Sequence, residues 1–444
     1  MVNISIFASS VLVLAASTTV AAAASIPATF FDPWRGIGGG DNSHDGLLAP
    51  LYRSSDTEII KDSYIIVLKD HVDAHAHCHW VTNFSKMKRS SIDEELLDDM
   101  EMGIRQTYHQ NGWKGYSGRF SPTMIQQIRS SPEVAYVEHD SMVYASELQR
   151  NAPWGLARIS HRRGISLWTF NKYPHDENGG DGINVFVVDT GININHVDFE
   201  GRASWGATFA SDGDTDGNGH GSHCAGTIAG RRFGVAKQAM PVAVKVLSAQ
   251  GSGSNSDVLA GINWVIEKSR ADREQAKKNG ARYKGAVANM SLGGGKSRAL
   301  DQAVNSAVES GVVFAVAAGN DGRDACQYSP AAAEQAITVG ATNLRDQRAY
   351  FSNYGPCVDV FAPGQDIMSV WNNGNYGTNT ISGTSMASPH VAGLAAYFLS
   401  MEKGDDVSPK VIKDKILKTA TRNMLTNIPR DTPNLMIYND FLEN

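Results

Sequence analysis

Three short segments of the chain each carry one side chain that suits nucleophilic chemistry. An apolar run ends in Asp189-Thr190-Gly191, residues 218–226 read NGHGSHCAG around His220, and residues 381–390 read ISGTSMASPH around Ser385. A serine hydroxyl is too weakly acidic to attack an amide unaided, so an imidazole must take its proton and a carboxylate must orient that imidazole. Asp189, His220 and Ser385 therefore form a candidate set for acyl transfer, with Ser385 as the nucleophile.

The segments that surround these residues predict an α/β domain over residues 147–444. Strand-like apolar runs alternate with helical stretches that begin near Asp257, Arg298 and Thr384; the runs are at 184–188, 242–247, 286–292, 312–317 and 336–339. Because they are apolar throughout, they are typical of strands buried on both faces. We predict a doubly wound parallel sheet with helices on both faces, whose ligand site lies at the carboxyl ends of the strands.

The beginning of the chain predicts a targeting segment and a connector. An apolar run over Ile4–Ala16 is followed by small residues from Ala21 to Ala24, which is the pattern of a signal peptide over residues 1–24. Residues 25–61 are rich in Gly, Ser and Asp without periodicity and predict a loose linker.

Residues 62–146 predict a small α+β domain. Tyr64–Leu68 and 134–143 read as strands, Ile92–Gln106 has helical spacing, and Ser121 with Pro122 has the residue types that begin a helix.

This region is also rich in histidine. Seven of the 13 histidines of the chain precede Ser146. His75, His77 and His79 are predicted on one face of a strand, as a solvated cluster that does not bind zinc. Since histidines gain charge between about pH 7 and pH 5, acid is expected to weaken the hold of this domain on the larger one.

Composition excludes several classes of function. The 444 residues are 42% apolar and 19% charged with a net charge of -6, so the chain is neither disordered nor equipped with a basic surface for nucleic acid. Beyond the signal peptide no run approaches the ~20 apolar residues of a membrane span. We expect a monomer, and no long extension after Tyr438.

Six motifs carry a resemblance to a known family. They read DTG, GHGSHCAGT, NMSLGGG, AVAAGN, FSNYGPCVDVFAPG and SGTSMASPHVAGLAAY. Between about Ala152 and Tyr438 the chain resembles the subtilisin-like serine proteases, in particular the fungal proteinase K and cerevisin (vacuolar protease B) branch. Residues 62–146 resemble that family's inhibitory propeptide, which is ferredoxin-like. The resemblance implies a serine endopeptidase made as a zymogen, which needs no cofactor for chemistry and acts on proteins or peptides.

The resemblance also assigns roles to further residues. Asn320 matches the asparagine that stabilises the oxyanion, together with the backbone N–H of Ser385. The implied substrate-binding residues form two walls and an edge: Ser291, Leu292 and Gly293; Ala317, Ala318 and Gly319; and Gly251, Ser252 and Gly253. No charge lines the walls, so broad specificity with an apolar or aromatic preference is expected.

Cation sites are suggested at two places. Asp359 matches an aspartate that binds structural calcium in proteinase K, where the other ligands are backbone oxygens. Asp212, Asp214 and Asp216 imitate a calcium loop whose twelfth position is His223 instead of Glu, which leaves a weak cation site open.

The cysteines and one asparagine predict covalent modifications. Cys326 and Cys357 are 31 residues apart in loop-like sequence and are the predicted disulfide. Cys224 is predicted to lie against His220, four residues away on one helical face. Asn83-Phe84-Ser85 is a predicted glycan acceptor.

Three alternatives stay open on the sequence alone. The chain could be a catalytically silent homologue that only holds peptides, although it keeps Asp189, His220, Asn320 and Ser385. Its destination could be the cell exterior or the vacuole lumen. The propeptide could be cut at any residue between Ala145 and Gln149.

Overall fold

The computed structural model describes residues 48–53, 59–89, 102–110, 113–141 and 146–441. It divides into two compact units, Met1–Val143 and Tyr144–Asn444. The predicted signal peptide and the first part of the predicted linker lie outside the described residues. Within the described residues, no helix combines the length and the apolar character that crossing a membrane requires.

In its described residues, the smaller unit is a five-stranded sheet with two helices. Its elements in chain order are β1 Leu51–Tyr52, β2 Ile59–Leu68, α1 Ala74–Arg89, β3 Gly103–Gln110, β4 Trp113–Arg119, α2 Pro122–Arg129 and β5 Val134–Ser141. The strand order is β1-β5-β2-β4-β3. The β5·β2, β2·β4 and β4·β3 pairs are antiparallel, whereas β1 is parallel to β5. From β2 to β5 this is the βαββαβ arrangement of a ferredoxin-like domain, as predicted.

Two predictions for this unit are wrong in part. Residues Gly103–Gln106 belong to β3 instead of the helix predicted over Ile92–Gln106, because they pair with β4. The Asn-Gly pair that follows β3 in the sequence is a hairpin signal that outweighs the spacing of Ile104 from Met100. The predicted linker is also too long, since β1 and the first residues of β2 lie within 25–61.

The histidine cluster was predicted in the wrong element. His75, His77 and His79 lie on helix α1, where His77 is buried with Ala74 and Val81, three and four residues away. Its Nδ1 lies 2.6 Å from a carboxylate oxygen of Glu133. The solvated cluster is therefore wrong for His77. The expected weakening of this domain's hold by acid stays a prediction.

The larger unit is built on a nine-stranded, mostly parallel sheet. The sheet strands in chain order are β8 Asn184–Asp189, β9 Ser204–Thr208, β10 Met240–Lys245, β11 Ala286–Met290, β13 Val312–Ala317, β15 Ile337–Thr342, β16 Val360–Pro363, β19 Thr421–Arg422 and β20 Leu435–Met436. Their spatial order is β19-β20-β16-β15-β13-β11-β8-β10-β9, and only β19 is antiparallel to its neighbour.

Over residues 146–441, six α-helices and three small ribbons complete this unit. The helices are α3 Trp154–Ile159, α4 His220–Ala229, α5 Asn255–Lys278, α6 Arg298–Glu309, α7 Thr384–Met401 and α8 Pro409–Thr419. The ribbons pair β6 Ser146–Arg150 with β7 Lys172–Asp176, β12 Gly294–Gly295 with β14 Tyr328–Ser329, and β17 Ile367–Val370 with β18 Thr378–Ile381.

Both faces of the sheet are buried, as the apolar runs predict. In β8, Val185 and Val187 face a core that includes residues of α4 and α7, whereas Phe186 and Val188 face a second core built with α5 and α6. This alternation confirms the doubly wound fold. It also places the loops after the strands at one edge of the sheet, where the candidate residues lie.

Candidate active site

Asp189 and His220 meet where strand β8 and helix α4 approach each other. Asp189 is the last residue of β8 and is fully buried, and His220 is the first residue of α4. The His220 Nδ1 lies 2.8 Å from Asp189 Oδ1. Glycine at position 221 permits this approach, because a Cβ there would lie 2.1 Å from the Gly191 carbonyl oxygen. The glycines of both motifs thus bring the imidazole to the carboxylate.

A second carboxylate, that of Asp216, holds these two loops together. One of its oxygens accepts hydrogen bonds from Thr190 Oγ1 and the Gly219 N–H, both at 2.8 Å. The other accepts from the N–H and the hydroxyl of Ser222, at 3.0 and 2.6 Å. Thr190 Oγ1 in turn accepts from the Gly221 N–H at 2.9 Å. Sequence reasoning treated Asp216 only as part of a calcium-like loop and missed this positioning role.

The surroundings of His220 favour its charged form. Burial opposes protonation, but the Asp189 carboxylate, helped by Asp216, outweighs burial and raises the pKa of His220 above its ordinary value. His223 of the same motif is buried against the Ile367 carbonyl, and burial lowers its pKa to about 3. Of the two histidines in NGHGSHCAG, only His220 is therefore suited to exchange a proton near neutral pH.

Ser385 lies in the first turn of helix α7. In this structure its hydroxyl donates to the Ser291 carbonyl oxygen at 3.1 Å. Ser291 Oγ in turn donates to the Ser385 carbonyl oxygen at 2.7 Å. Two hydrogen bonds of opposite direction therefore join Ser291 to the first turn of helix α7. Ser385 and His220 line the same cleft. The N-terminal dipole of α7 favours negative charge beside Ser385.

Asn320 is oriented by Thr384, a residue that sequence reasoning did not single out. Asn320 Oδ1 accepts hydrogen bonds from Thr384 N–H at 2.8 Å and from Thr384 Oγ1 at 2.9 Å. Because both Thr384 donors bind Oδ1, the amide nitrogen Nδ2 of Asn320 faces away from Thr384. A Cβ placed on Gly383 would lie 3.7 Å from Asn320 Nδ2 and 3.6 Å from the Ser385 nitrogen. The side-chain amide and the Ser385 N–H thus border one small space that an oxyanion can enter.

The cleft beside these residues contains every predicted substrate-binding residue. It has a volume of about 660 Å³, and its lining includes Gly251, Ser252, Gly253, Ser291, Leu292, Gly293, Ala317, Ala318, Gly319, Asn320, His220 and Ser385. The edge at 251–253 is exposed. An extended peptide can add to such an edge through main-chain hydrogen bonds. Leu300 and Ala331 also line the cleft, which gives it further apolar surface.

Cys224 packs under the site as a thiol. The ligand atoms of Asp189, His220 and Cys224 all lie within 4.8 Å of one another, and Cys224 is fully buried and not in a disulfide. The predicted contact with His220 is confirmed. Burial, followed by the nearby Asp189 carboxylate, raises the pKa of the Cys224 thiol well above its ordinary value. A protonated buried thiol is a poor nucleophile.

Mercury is therefore expected to block acyl transfer at this site through Cys224, without the thiol taking part in the reaction. Mercuric ion bound to its sulfur should displace the His220 imidazole and abolish most activity. Cys224→Ala should keep activity within a few-fold of the parent and resist HgCl2, whereas the parent should be inhibited. Peptide hydrolysis before and after HgCl2 measures both effects. Complete inactivity of a folded Cys224→Ala variant would instead indicate a cysteine mechanism.

The predicted calcium ligand Asp359 has a lysine as its partner. Lys413 Nζ lies 3.0 Å from its Oδ1 and 3.1 Å from its Oδ2, and the Thr338 N–H donates to Oδ2 at 2.9 Å. These residues do not fit a calcium ion, because an ammonium group already lies against both carboxylate oxygens.

The three carboxylates of the calcium-like loop, Asp212, Asp214 and Asp216, also bind groups of the protein itself. Asp212 contacts Lys245 Nζ at 3.2 Å, Asp214 accepts from Thr208 Oγ1 at 2.6 Å, and Asp216 makes the bonds described above. A weak cation site at this loop is therefore not supported.

The two covalent predictions have different outcomes. Cys326 and Cys357 form a disulfide, as predicted. Asn83 is exposed on helix α1 with its Nδ2 3.2 Å from His79 Nδ1, and its glycosylation stays a prediction.

Comparison with known families matches both units. Residues 180–434 match the Subtilase family, and residues 63–146 match Peptidase inhibitor I9.

Individual proteins are similar to this chain over most of its length. A subtilisin-like serine protease, Pen c 2 of Penicillium citrinum, is 51% identical over 424 residues, which cover 90% of this chain and 92% of that protein. Alkaline protease 2 of Aspergillus fumigatus is 50% identical over 423 residues, with 90% and 85% covered. The crystal structure of a cold adapted subtilisin-like serine proteinase is 44% identical, with a TM-score of 0.59, and covers 66% of this chain and 100% of that one.

Proposed function

Because the chain belongs to the subtilase family and is a serine endopeptidase made as a zymogen, we propose that Ser385 is its nucleophile and His220 its general base. Asp189 orients His220, and Asn320 with the Ser385 N–H receives the oxyanion. The observation that carries these assignments is the 2.8 Å contact between His220 and Asp189 in the cleft that also contains Ser385 and Asn320.

The first step forms an acyl-enzyme. Ser385 Oγ attacks the carbonyl carbon of the scissile bond while its proton passes to His220 Nε2, and negative charge develops on the former carbonyl oxygen. The Asn320 amide and the Ser385 N–H stabilise that charge. His220 then gives the proton to the leaving amine, and a water activated by His220 releases the acyl group. The Asp189 carboxylate stabilises the charged imidazole. No cofactor is needed for this chemistry.

The resting serine must turn before it reacts. Its hydroxyl donates to the Ser291 carbonyl, and a rotation about its Cα–Cβ bond redirects it toward His220. Hydrogen bonds between nucleophile and base often form only when substrate binds. A substrate strand lying along Ser291–Gly293 competes with the Ser385 hydroxyl for the space at the Ser291 carbonyl. Substrate binding therefore favours the Ser385 rotamer that points toward His220.

Labelling with a fluorophosphonate tests the assignment directly. The probe should phosphonylate Ser385, as shown by mass spectrometry of the labelled peptide. Asn320→Ala should label on the order of 10² times more slowly, because the phosphoryl oxygen loses one donor. Asn263→Ala, on an exposed face of helix α5, is the matched control and should label at the parent rate. Absence of labelling in the folded, processed parent would favour the catalytically silent alternative.

The cleft supports broad specificity for apolar or aromatic side chains. Its walls are built from Ser291–Gly293 and Ala317–Gly319, which bring no charge, and main-chain binding along the edge accepts any sequence. Digestion of an unfolded protein should therefore yield peptides that end mostly in Leu, Phe, Tyr or Met. Cleavage mainly after Lys, Arg, Asp or Glu would contradict this preference.

The zymogen is processed at the junction of its two units. We place the propeptide at 62–146 and the catalytic domain at 147–444. The strand β6, Ser146–Arg150, pairs with β7 of the larger unit, which supports a cut near the start of β6, between Ala145 and Gln149. The free propeptide then acts as an inhibitor of the same enzyme. N-terminal sequencing of the mature protein tests the position.

The compartment is assigned from the sequence and the disulfide. An apolar segment over Ile4–Ala16 and a disulfide between Cys326 and Cys357 both support entry into the secretory pathway, toward the exterior or the vacuole lumen. Asn83 is glycosylated on that route.

The enzyme acts as a monomer without nucleic acid. Glycosidase treatment of the precursor and gel filtration of the mature enzyme test these assignments.

A further inference from the structure

Four oxygen atoms converge on the ammonium group of Lys413 at one edge of the larger unit. Lys413 Nζ donates to the Ala336 carbonyl at 2.6 Å and to the Glu334 carbonyl at 3.1 Å, and it lies 3.0 and 3.1 Å from the two oxygens of Asp359. Two backbone carbonyls and a carboxylate are the hard oxygen ligands that a calcium ion prefers. Here a side chain of the same protein supplies the cation.

The oxygens are held in place by the sheet. Ala336 and Asp359 immediately precede the paired strands β15 and β16. The Asp359 N–H donates to the Thr338 carbonyl, and the Thr338 N–H donates to Asp359 Oδ2, both at 2.9 Å. Helix α8 brings Lys413 to this edge, 54 residues further along the chain. The oxygen ligands are therefore arranged before the cation arrives, as in a metal site.

The Asp359 carboxylate is partly buried, so its negative charge requires a positively charged partner. The side chains of Asp359 and Lys413 are only 23% and 18% exposed. Burial raises the pKa of Asp359 above its ordinary value, and the nearby Lys413 acts in the opposite direction. Removing one member of a partly buried pair leaves an uncompensated charge, which costs more than the pair itself contributes.

We propose that Lys413 is a built-in cation that takes the place of a structural metal ion at Asp359, so that calcium does not stabilise the larger unit through this site. A tethered ammonium group does not dissociate, and a chelator cannot remove it. The resemblance to proteinase K predicted a calcium ligand at Asp359, and the contacts of Lys413 explain why this chain departs from that prediction.

The first test needs no change at the site. The full chain carrying Ser385→Ala, which limits self-digestion, is heated in excess EDTA and in millimolar CaCl2, and Tm is measured by differential scanning calorimetry. The two Tm values should agree to about 1 °C, because the site gains nothing from calcium. A calcium-induced rise in Tm that is lost in Asp359→Asn would overturn the proposal.

The second test removes the Lys413 ammonium group from among the oxygen ligands. In the same background, Lys413→Ala should lower Tm in EDTA by about 5–10 °C, and calcium should recover much of that loss by entering among the vacated oxygens. Lys413→Met fills the space with an apolar chain, so it should lose stability without recovery. Lys410→Ala is the matched control on the same helix, since Lys410 is exposed and forms an exposed ion pair with Asp414, and should match the parent in both solutions. An equal calcium response of Lys413→Ala and Lys413→Met would refute the proposal.

Discussion

Replacement of Ser385 by alanine is expected to leave the chain as an unprocessed precursor and to reduce peptide hydrolysis by about 10⁶-fold, the loss that removal of the nucleophile causes in subtilisin, a member of the same family. Alanine has no hydroxyl to form the acyl-enzyme, whereas the cleft and the oxyanion donors remain. Intact-mass spectrometry of protein made in a host without other proteases should find residues 25–444 in one piece.

The control for this variant is Ser382→Ala. Ser382 lies three residues earlier on an exposed position, and its hydroxyl accepts a hydrogen bond from the Asp366 N–H. It should mature normally, which shows that processing depends on the Ser385 hydroxyl and not on any serine of the loop. Normal maturation of Ser385→Ala in the same host would contradict processing by the enzyme's own site.

Replacement of Asp189 by asparagine is expected to reduce kcat by about 10⁴-fold with little change in KM. The geometry of the site should survive, but an amide that donates to His220 Nδ1 favours the tautomer whose Nε2 carries a proton and cannot accept one. The assay uses a chromogenic peptide and variant enzyme whose propeptide has been removed by added active enzyme. A loss of less than tenfold would contradict the role of Asp189.

The pH profile separates this role from a merely structural one. His220 works as a base only when neutral, so the parent should lose kcat/KM as pH falls through the pKa of His220, which Asp189 raises above its ordinary value. In Asp189→Asn the acid limb of the residual activity should move to lower pH, because the carboxylate that favours the charged imidazole is gone. Asp214→Asn, a change at a carboxylate that accepts from Thr208 Oγ1, should keep the parent profile. An unchanged limb in Asp189→Asn would show that Asp189 does not set the pKa.

The sequence by itself determined the fold class and was enough to propose the reacting residues. Apolar runs such as 184–188 are uninterrupted because both faces of the sheet are covered, and that requirement is visible in residue types alone. The motifs around Asp189, His220 and Ser385 combine a reactive side chain with glycines that permit close approach. These motifs and the resemblance that they carry therefore made the three residues candidates before their positions in space were known.

Only the tertiary structure decided the contacts between residues far apart in the chain. Asp216 looked like part of a cation loop, and Lys413 like any lysine of an amphipathic helix, because neither residue's neighbours in sequence are its partners in space. The residues 103–106 became a strand, against their helical spacing, because β4 lies beside them. Hydrogen-bond pairing and the desolvation of charge depend on which groups the fold brings together, and that information is not contained in local spacing.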